Sequence, residues 1–317
     1  MRVTDPAELL AAAQSGDRGA VARLISYVER GGDDAAAVSR LTWSAARRAN
    51  LIGMTGAPGA GKSTLTNMLI QHVRAKGERI AVLAVDPSSP FTNGAILGDR
   101  VRMQDHATDD GVFIRSMATR GQVGGLALAT PEAARVLAAA GYPTVLIETV
   151  GVGQVEVEIA GAADTTVVVV NPGWGDAVQA NKAGLLEVAD VFVINKADRP
   201  GVAEVRRDLE AMLDMHVAPG PWRPPIVEAV AARGEGAQDV WAAINAHRAH
   251  IVETGELVRR QAKRAEIEVR EIVVRTIEAK AVAMLNSEQG AALTANVLDG
   301  SIDPHEAAAA ILNEMET

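Results

Sequence analysis

Cysteine is absent from all 317 residues, which excludes disulfides and thiolate metal sites and fits a reducing compartment. Aromatic residues are scarce, at 3%, so any core has to be assembled mostly from Ala, Val, Leu and Ile. No apolar run approaches the roughly 18 residues that a membrane-spanning helix needs. The N-terminal stretch MRVTDPAELLAAAQSGD carries Asp5 and lacks a long apolar segment, so it reads as neither a secretory signal nor an Arg-rich transit peptide. A cytoplasmic protein without a membrane partner is expected. Basic charge is also in deficit. The 31 basic against 40 acidic residues give −9, opposite in sign to most nucleic-acid binders, so no nucleic-acid partner is expected.

What is present is an ordinary globular balance, 48% hydrophobic and 22% charged, in a length that suits about two domains or one large domain with extensions. Three zones follow one another. Residues 1–48 read as helices. Asp5-Pro6 is an N-cap with a first-turn proline, Asp17 caps a second helix with Val21, Leu24, Ile25 and Val28 on one face, and a third helix runs from Asp34 to Arg48. Residues 49–250 alternate short β-rich runs with helical stretches: LIGMT, IAVLAV, VFIR, TVLIE, TTVVVV, VFVIN and PIVEAV. Buried strands joined by helices predict an α/β domain, doubly wound around a mainly parallel sheet. Residues 251–317 return to helix. Here Val258, Ala262, Ala265, Val269, Ile272, Thr276, Ala279 and Ala283 form a 4-3 seam, suited either to a coiled-coil-like contact or to packing on the chain's own α/β domain.

The chemistry starts at GAPGAGKST, which spans Gly56, Ala57, Pro58, Gly59, Ala60, Gly61, Lys62, Ser63 and Thr64. It follows a strand and precedes a helical run, the context in which a P-loop works. Its glycines let backbone N–H groups turn toward phosphate oxygens, and the helix N-terminus adds a favourable dipole. Lys62 is expected to reach the β- and γ-phosphates and Ser63 to bind Mg²⁺. Base choice rests on Asn195, Lys196 and Asp198 in NKAD at the end of VFVIN. A carboxylate there accepts from both N1–H and the exocyclic amine of guanine, a donor pair adenine does not offer. Asn195 is expected to hydrogen-bond the base and Lys196 to pack along it, so the nucleotide is GTP or GDP. Glu148, Thr149, Val150 and Gly151 close TVLIE with a carboxylate for Mg²⁺ and a glycine near the γ-phosphate. The stretch after it is a candidate switch. Asp86 and Asp99 are either turn formers or further acids of the same site. Arg115 and Arg120 are expected near the phosphates or on a surface loop.

GAPGAGKST, VDPSSPFTNGAILGDRVRM, FIRSMATRGQVGG, IETVGVGQVEVE and NKADRPG occur in this order, and together they resemble the MeaB (ArgK, MMAA) GTPases of the SIMIBI class. The resemblance implies a GTP-hydrolysing chaperone of an adenosylcobalamin-dependent acyl-CoA mutase, typically methylmalonyl-CoA mutase. Adenosylcobalamin would be met only through that partner. It also implies a homodimer formed through the C-terminal helical arm. Carried onto this chain, it places the Mg²⁺ ligands at Ser63, Asp86, Asp99 and Glu148, and the second switch at Gly151 and Gln154. A partner-coupling loop falls on Asp176, Gln179 and Lys182. Where relatives have Ser or Thr before Ala, this chain has Val230-Ala231, expected to reach guanine O6 through backbone N–H. Slow intrinsic hydrolysis stimulated by the partner is expected.

Other readings make different demands. A nickel-inserting GTPase would need a Cys/His cluster. The six histidines are scattered, with His247 and His250 the one close pair, expected on a solvated helix face. An ATP-dependent kinase would need an adenine pocket, against which NKAD argues. The same chaperone role toward an isobutyryl- or 2-hydroxyisobutyryl-CoA mutase satisfies every motif equally.

Overall fold

The computed structural model describes residues 4–47, 49–86, 106, 108–118, 125–149, 161–173, 187–216 and 221–315. The chain divides into two compact units, Met1–Arg264 and Ala265–Thr317. The first opens with α1 (Pro6–Gln14), α2 (Arg18–Arg30) and α3 (Gly32–Thr42). Asp5 caps α1 by accepting from Ala7 N and Glu8 N, and Asp17 caps α2 through Gly19 N and Ala20 N. The third helix begins two residues earlier than the acidic signal at Asp34 suggested. It gives way to a 3₁₀ turn, Trp43–Arg47, so the run to Arg48 is not one α-helix.

Then come β1 (Asn50–Thr55), α4 (Lys62–Ala75), β2 (Ile80–Asp86), β3 (Val112–Ala118), α5 (Gly125–Ala139), β4 (Thr144–Thr149) and β5 (Thr165–Val170). The unit continues with β6 (Val191–Asn195), α6 (Val202–His216), β7 (Ile226–Ala229), α7 (Ala237–Glu253) and the start of α8 (Glu256–Leu285). The seven strands form one sheet, ordered β3-β2-β4-β1-β5-β6-β7, and every pairing is parallel. Alternate residues of each strand face opposite sides. Leu83, Val85, Val145 and Ile147 meet α1, α2 and α5 through Leu9, Leu24, Ile25 and Leu137. Ile52, Met54, Val82, Leu146 and Val167 meet α4 and α7 through Leu65, Leu69, Val73 and Ile244. Val168, Val170 and Ile194 receive Val205, Leu209 and Leu213 of α6. Helices thus cover both faces, and aliphatic side chains supply the core at about 1.5–3 kcal/mol for each large one buried.

The end of the sheet where β5 and β6 begin is held by charge. Asp164, 1% exposed, accepts from Leu51 N, from Arg248 of α7 at 2.6 Å and from Arg264 of α8 at 2.5 Å. Asp190 accepts from Thr166 N at 2.8 Å and from both terminal nitrogens of Arg260, at 2.8 and 2.9 Å. His247 bridges Thr165 Oγ1 and Asp190 Oδ1 and is itself 1% exposed. Its expected solvated position is therefore replaced by a structural one: α7 turns this face onto the strand starts. Burial pushes the Asp190 carboxyl up, but hydrogen bonds from His247 and Arg260 outweigh it and hold the group below the usual carboxylate range. Arg115 of β3 likewise pairs with Glu29 of α2 at 2.5 Å and donates to Ser26. It ties the N-terminal helices to the sheet rather than approaching the phosphate loop.

The second unit contains the remainder of α8 with α9 (Glu288–Asp299) and α10 (Pro304–Met315). Ser287 caps α9, and Asp303 caps α10 by accepting from His305 N and Glu306 N. Val269, Ile272, Val273, Ile277 and Val282 of α8 are exposed. Among the described residues no helix is long and apolar enough to cross a membrane.

Candidate functional site

The ends of β1, β4 and β6 converge on the loop between β1 and α4, at the carboxyl edge where parallel sheets bind ligands. Two glycines make the loop possible. Gly56 has φ 135°, and a Cβ there would overlap the carbonyl oxygen of Val169 on β5. Gly61 has φ 96°, and a Cβ there would overlap the Asn195 side-chain amide. Both positions combine a backbone that L-residues rarely adopt with a close neighbour. No side chain caps α4, so its first-turn N–H groups are available to an anion, and the helix dipole points positive there. Lys62, 8% exposed, turns its ammonium over the loop, donating to the carbonyls of Gly56 at 2.6 Å and Ala57 at 3.3 Å. A cation is thereby held against the backbone of the loop.

Ser63 and Glu148 meet across the loop. The Ser63 hydroxyl donates to Glu148 Oε1 at 2.5 Å, and Glu148 is 1% exposed. Glu148 stands opposite Met54 of β1 and Ala84 of β2, so parallel register carries the carboxylate to the phosphate loop. A buried carboxylate beside a serine hydroxyl is an all-oxygen donor pair that suits a hard cation such as Mg²⁺. Among the described residues no group of three or more His, Cys, Asp or Glu could hold a metal by itself. Asp86 ends β2, opposite Ala118 of β3, at the same edge of the sheet. Asp99, Arg120, Gly151, Gln154, Asp176, Gln179 and Lys182 lie outside the described residues.

The base side is built from two turns that join the phosphate loop. Asn195, 2% exposed, donates from Nδ2 to Ala60 O at 2.9 Å and Gly61 O at 3.4 Å. Its Oδ1 accepts from Lys196 N at 2.8 Å and Ala231 N at 3.1 Å. Its amide is therefore engaged by protein, so it joins the phosphate loop to the β6 and β7 turns where a direct base contact was expected. Lys196, at φ 58°, reaches Gly59 O with its ammonium at 2.6 Å. The two amides expected to reach guanine O6 are also engaged: Val230 N donates to Glu235 O, and Ala231 N to Asn195. A base contact from Ala231 requires that N–H to be shared with Asn195 Oδ1.

Asp198 is exposed at this edge, and it holds a partner that sequence reasoning passed over. Arg233, in the turn after β7, donates to Asp198 Oδ2 at 2.7 Å and lies 3.6 Å from Glu235. The Arg233 hydrogen bond holds the Asp198 carboxyl below the usual carboxylate range. The one available signal was the arginine inside ARGEG, a segment read only for its backbone.

Comparison with known proteins places the chain among GTPases. The family model for the methylmalonyl Co-A mutase-associated GTPase MeaB matches residues 21–286. A Pyrococcus abyssi protein named as a GTPase is 47% identical over 311 residues, 97% of this chain and 96% of its own. The Escherichia coli GTPase ArgK is 40% identical over 216 residues, 66% of this chain and 65% of its own. The mitochondrial methylmalonic aciduria type A homolog of Mus musculus is 32% identical over 271 residues, 84% of this chain and 65% of its own. Among solved structures, a LAO/AO transport system kinase superposes with a TM-score of 0.69 at 26% identity, covering 100% of both chains.

Proposed function

The chain belongs to the family of methylmalonyl Co-A mutase-associated GTPases, and from that premise we propose that it is a GTP-driven chaperone of an adenosylcobalamin-dependent acyl-CoA mutase. Hydrolysis of GTP to GDP and phosphate is the family's activity. Methylmalonyl-CoA mutase is the favoured partner because the family model carries that association and the mouse relative is named for methylmalonic aciduria. In this reading the nucleotide state gates cofactor loading and protects or reactivates the mutase.

The observation that carries the proposal is convergence on one loop: Lys62 reaches back over it from the start of α4, Glu148 closes it through Ser63, and Asn195 and Lys196 bind it from the base side. A change at the phosphates is therefore mechanically connected to the ends of β4 and β6. Lys62 and the first-turn N–H groups of α4 would hold the negative charge on the transferring phosphoryl group, preorganised before reaction. Ser63 and Glu148, with Asp86 and Asp99, would hold Mg²⁺, which would offset negative charge on the phosphates. Asp198 would read guanine. Gly151 and Gln154 would form the responsive switch, and Asp176, Gln179 and Lys182 would couple it to the partner. The exposed apolar residues of α8 support a homodimer formed through the C-terminal helices.

The test is GTP turnover by the purified protein with and without methylmalonyl-CoA mutase, with ATP alongside. A slow GTP rate raised several-fold by the mutase is the expected result. A response only to an isobutyryl- or 2-hydroxyisobutyryl-CoA mutase would reassign the partner. Equal turnover of ATP would sink the guanine reading and favour kinase chemistry.

A further inference from the structure

We infer that Arg233 is a specificity-determining positioning residue for guanine: it fixes the pose of the Asp198 carboxylate and thereby sets the preference for a base carrying an exocyclic 2-amino group. The inference rests on the assignment of Asp198 as the base-reading acid. Asp198 sits in a turn whose backbone is anchored, with Ala197 N on Ala229 O at 3.0 Å and Arg199 N on Lys196 O at 3.0 Å. Those bonds place the Cα, and beyond a backbone hydrogen bond within its own residue the carboxylate takes its pose from its side-chain partner. Among the described residues the side-chain hydrogen bond to that carboxylate comes from Arg233, at 2.7 Å on Oδ2.

Arg233 is well placed to be a fixed reference. Its turn is closed by an antiparallel bridge between Val230 and Glu235 and by Arg233 N on Val230 O at 2.8 Å. The same turn is joined to Asn195 through Ala231 N, so Arg233 and the phosphate loop share one framework. Glu235 lies 3.6 Å from the other guanidinium nitrogen and adds a second opposite charge beside the arginine. A carboxylate has about four lone-pair sites. Arg233 occupies one on Oδ2 and leaves Oδ1 and the remaining site of Oδ2 for guanine N1–H and the 2-amino group. Both members of the pair are more than a third exposed, so the arginine contributes little to folding. Its effect is on the geometry of recognition.

The experiment compares GDP with inosine diphosphate, which lacks only the 2-amino group, by calorimetric titration of the full chain and of Arg233→Ala, Arg233→Lys and Asp198→Asn. Arg233→Ala is expected to weaken GDP about 5-fold, the scale of one exposed ion pair, while inosine diphosphate changes by less than about 2-fold. Arg233→Lys should restore part of the preference, since it keeps the cation but not the fork. Equal weakening of both nucleotides would make Arg233 merely structural and overturn the inference. So would tighter GDP binding, because the arginine would then be competing with the base. Loss of guanine preference in Asp198→Asn with none in Arg233→Ala overturns the role of Arg233 alone. Unaltered preference in both overturns the base site on which it rests.

Discussion

Replacing Asn195 by alanine separates two accounts of the same residue. If the side chain is a base contact, its loss weakens nucleotide binding and leaves the unliganded protein intact. If it is the staple seen here, the unliganded protein suffers first. Truncation removes a donor to Ala60 O at 2.9 Å and an acceptor shared by Lys196 N at 2.8 Å and Ala231 N at 3.1 Å. Three backbone groups around a side chain 2% exposed then lose their partner. Each such group costs about 1–3 kcal/mol when left unmade, and water entering the gap offsets part of that, so a net loss of about 3 kcal/mol is expected. For a domain of this size that corresponds to a fall of roughly 6–12 °C in Tm. The assay is thermal unfolding of protein stripped of nucleotide, followed by GDP titration at a temperature where the variant is folded. Asn195→Asp serves as the isosteric control: it keeps the acceptor and sets a carboxylate oxygen against the Ala60 carbonyl, so it should be no more stable than the alanine variant. A stripped Asn195→Ala protein melting within about 1 °C of the parent, yet binding GDP at least tenfold more weakly, would refute the reasoning.

Gly56→Ala combines an unfavourable φ with overlap on Val169 O, so it should cost about 2–5 kcal/mol in chemical denaturation and abolish GDP binding. Ser63→Ala should shrink the Mg²⁺ dependence of GTP affinity while GDP affinity measured with chelator stays near the parent value; an unchanged Mg²⁺ dependence would remove Ser63 from the metal site. Asp190 is held below its unfolded pKa of about 3.9, so the native state binds fewer protons there than the unfolded state. The stability it contributes is present above that pH and is lost as pH falls through the folded-state pKa. Asp190→Asn should flatten the acid limb of a stability–pH curve below about pH 4, and at neutral pH it should cost about 3 kcal/mol by leaving Arg260 and His247 without their carboxylate.

What was legible in the sequence was whatever a few neighbouring residues decide. Gly56 to Thr64 between a strand and a helix is one such case, because the turn, the orphan N–H groups and the lysine all act within one segment. The strands were legible because β-rich runs such as Thr165–Val170 have no helical alternative of matching burial. What stayed hidden depended on strand order. The phosphate-loop partners of Asn195 lie 134 and 135 positions away and meet it only because β6 is two places from β1 in the sheet. Arg233 sits 35 positions from Asp198 and pairs with it only because β7 lies beside β6. His247 looked like a surface histidine because the helical pattern shows which residues share a face but not which acid that face will meet.

The same strand order accounts for the strengthening of the sheet at both ends. β5 supplies the carbonyl that excludes any side chain at Gly56, and β6 supplies Asn195, so the positions of these strands set the shape of the phosphate loop. β5 is six residues long and β6 five. Their starts are fixed by Asp164 and Asp190, gripped by Arg248 of α7 and by Arg260 and Arg264 of α8. A buried carboxylate with two or three charged or backbone donors is costly to break, so sliding either strand forfeits several kcal/mol before the loop itself distorts. The arginines of the first turns of α8, which in sequence look like solubilising charge beside an apolar seam, thus fix the positions of the two strands that end at the nucleotide.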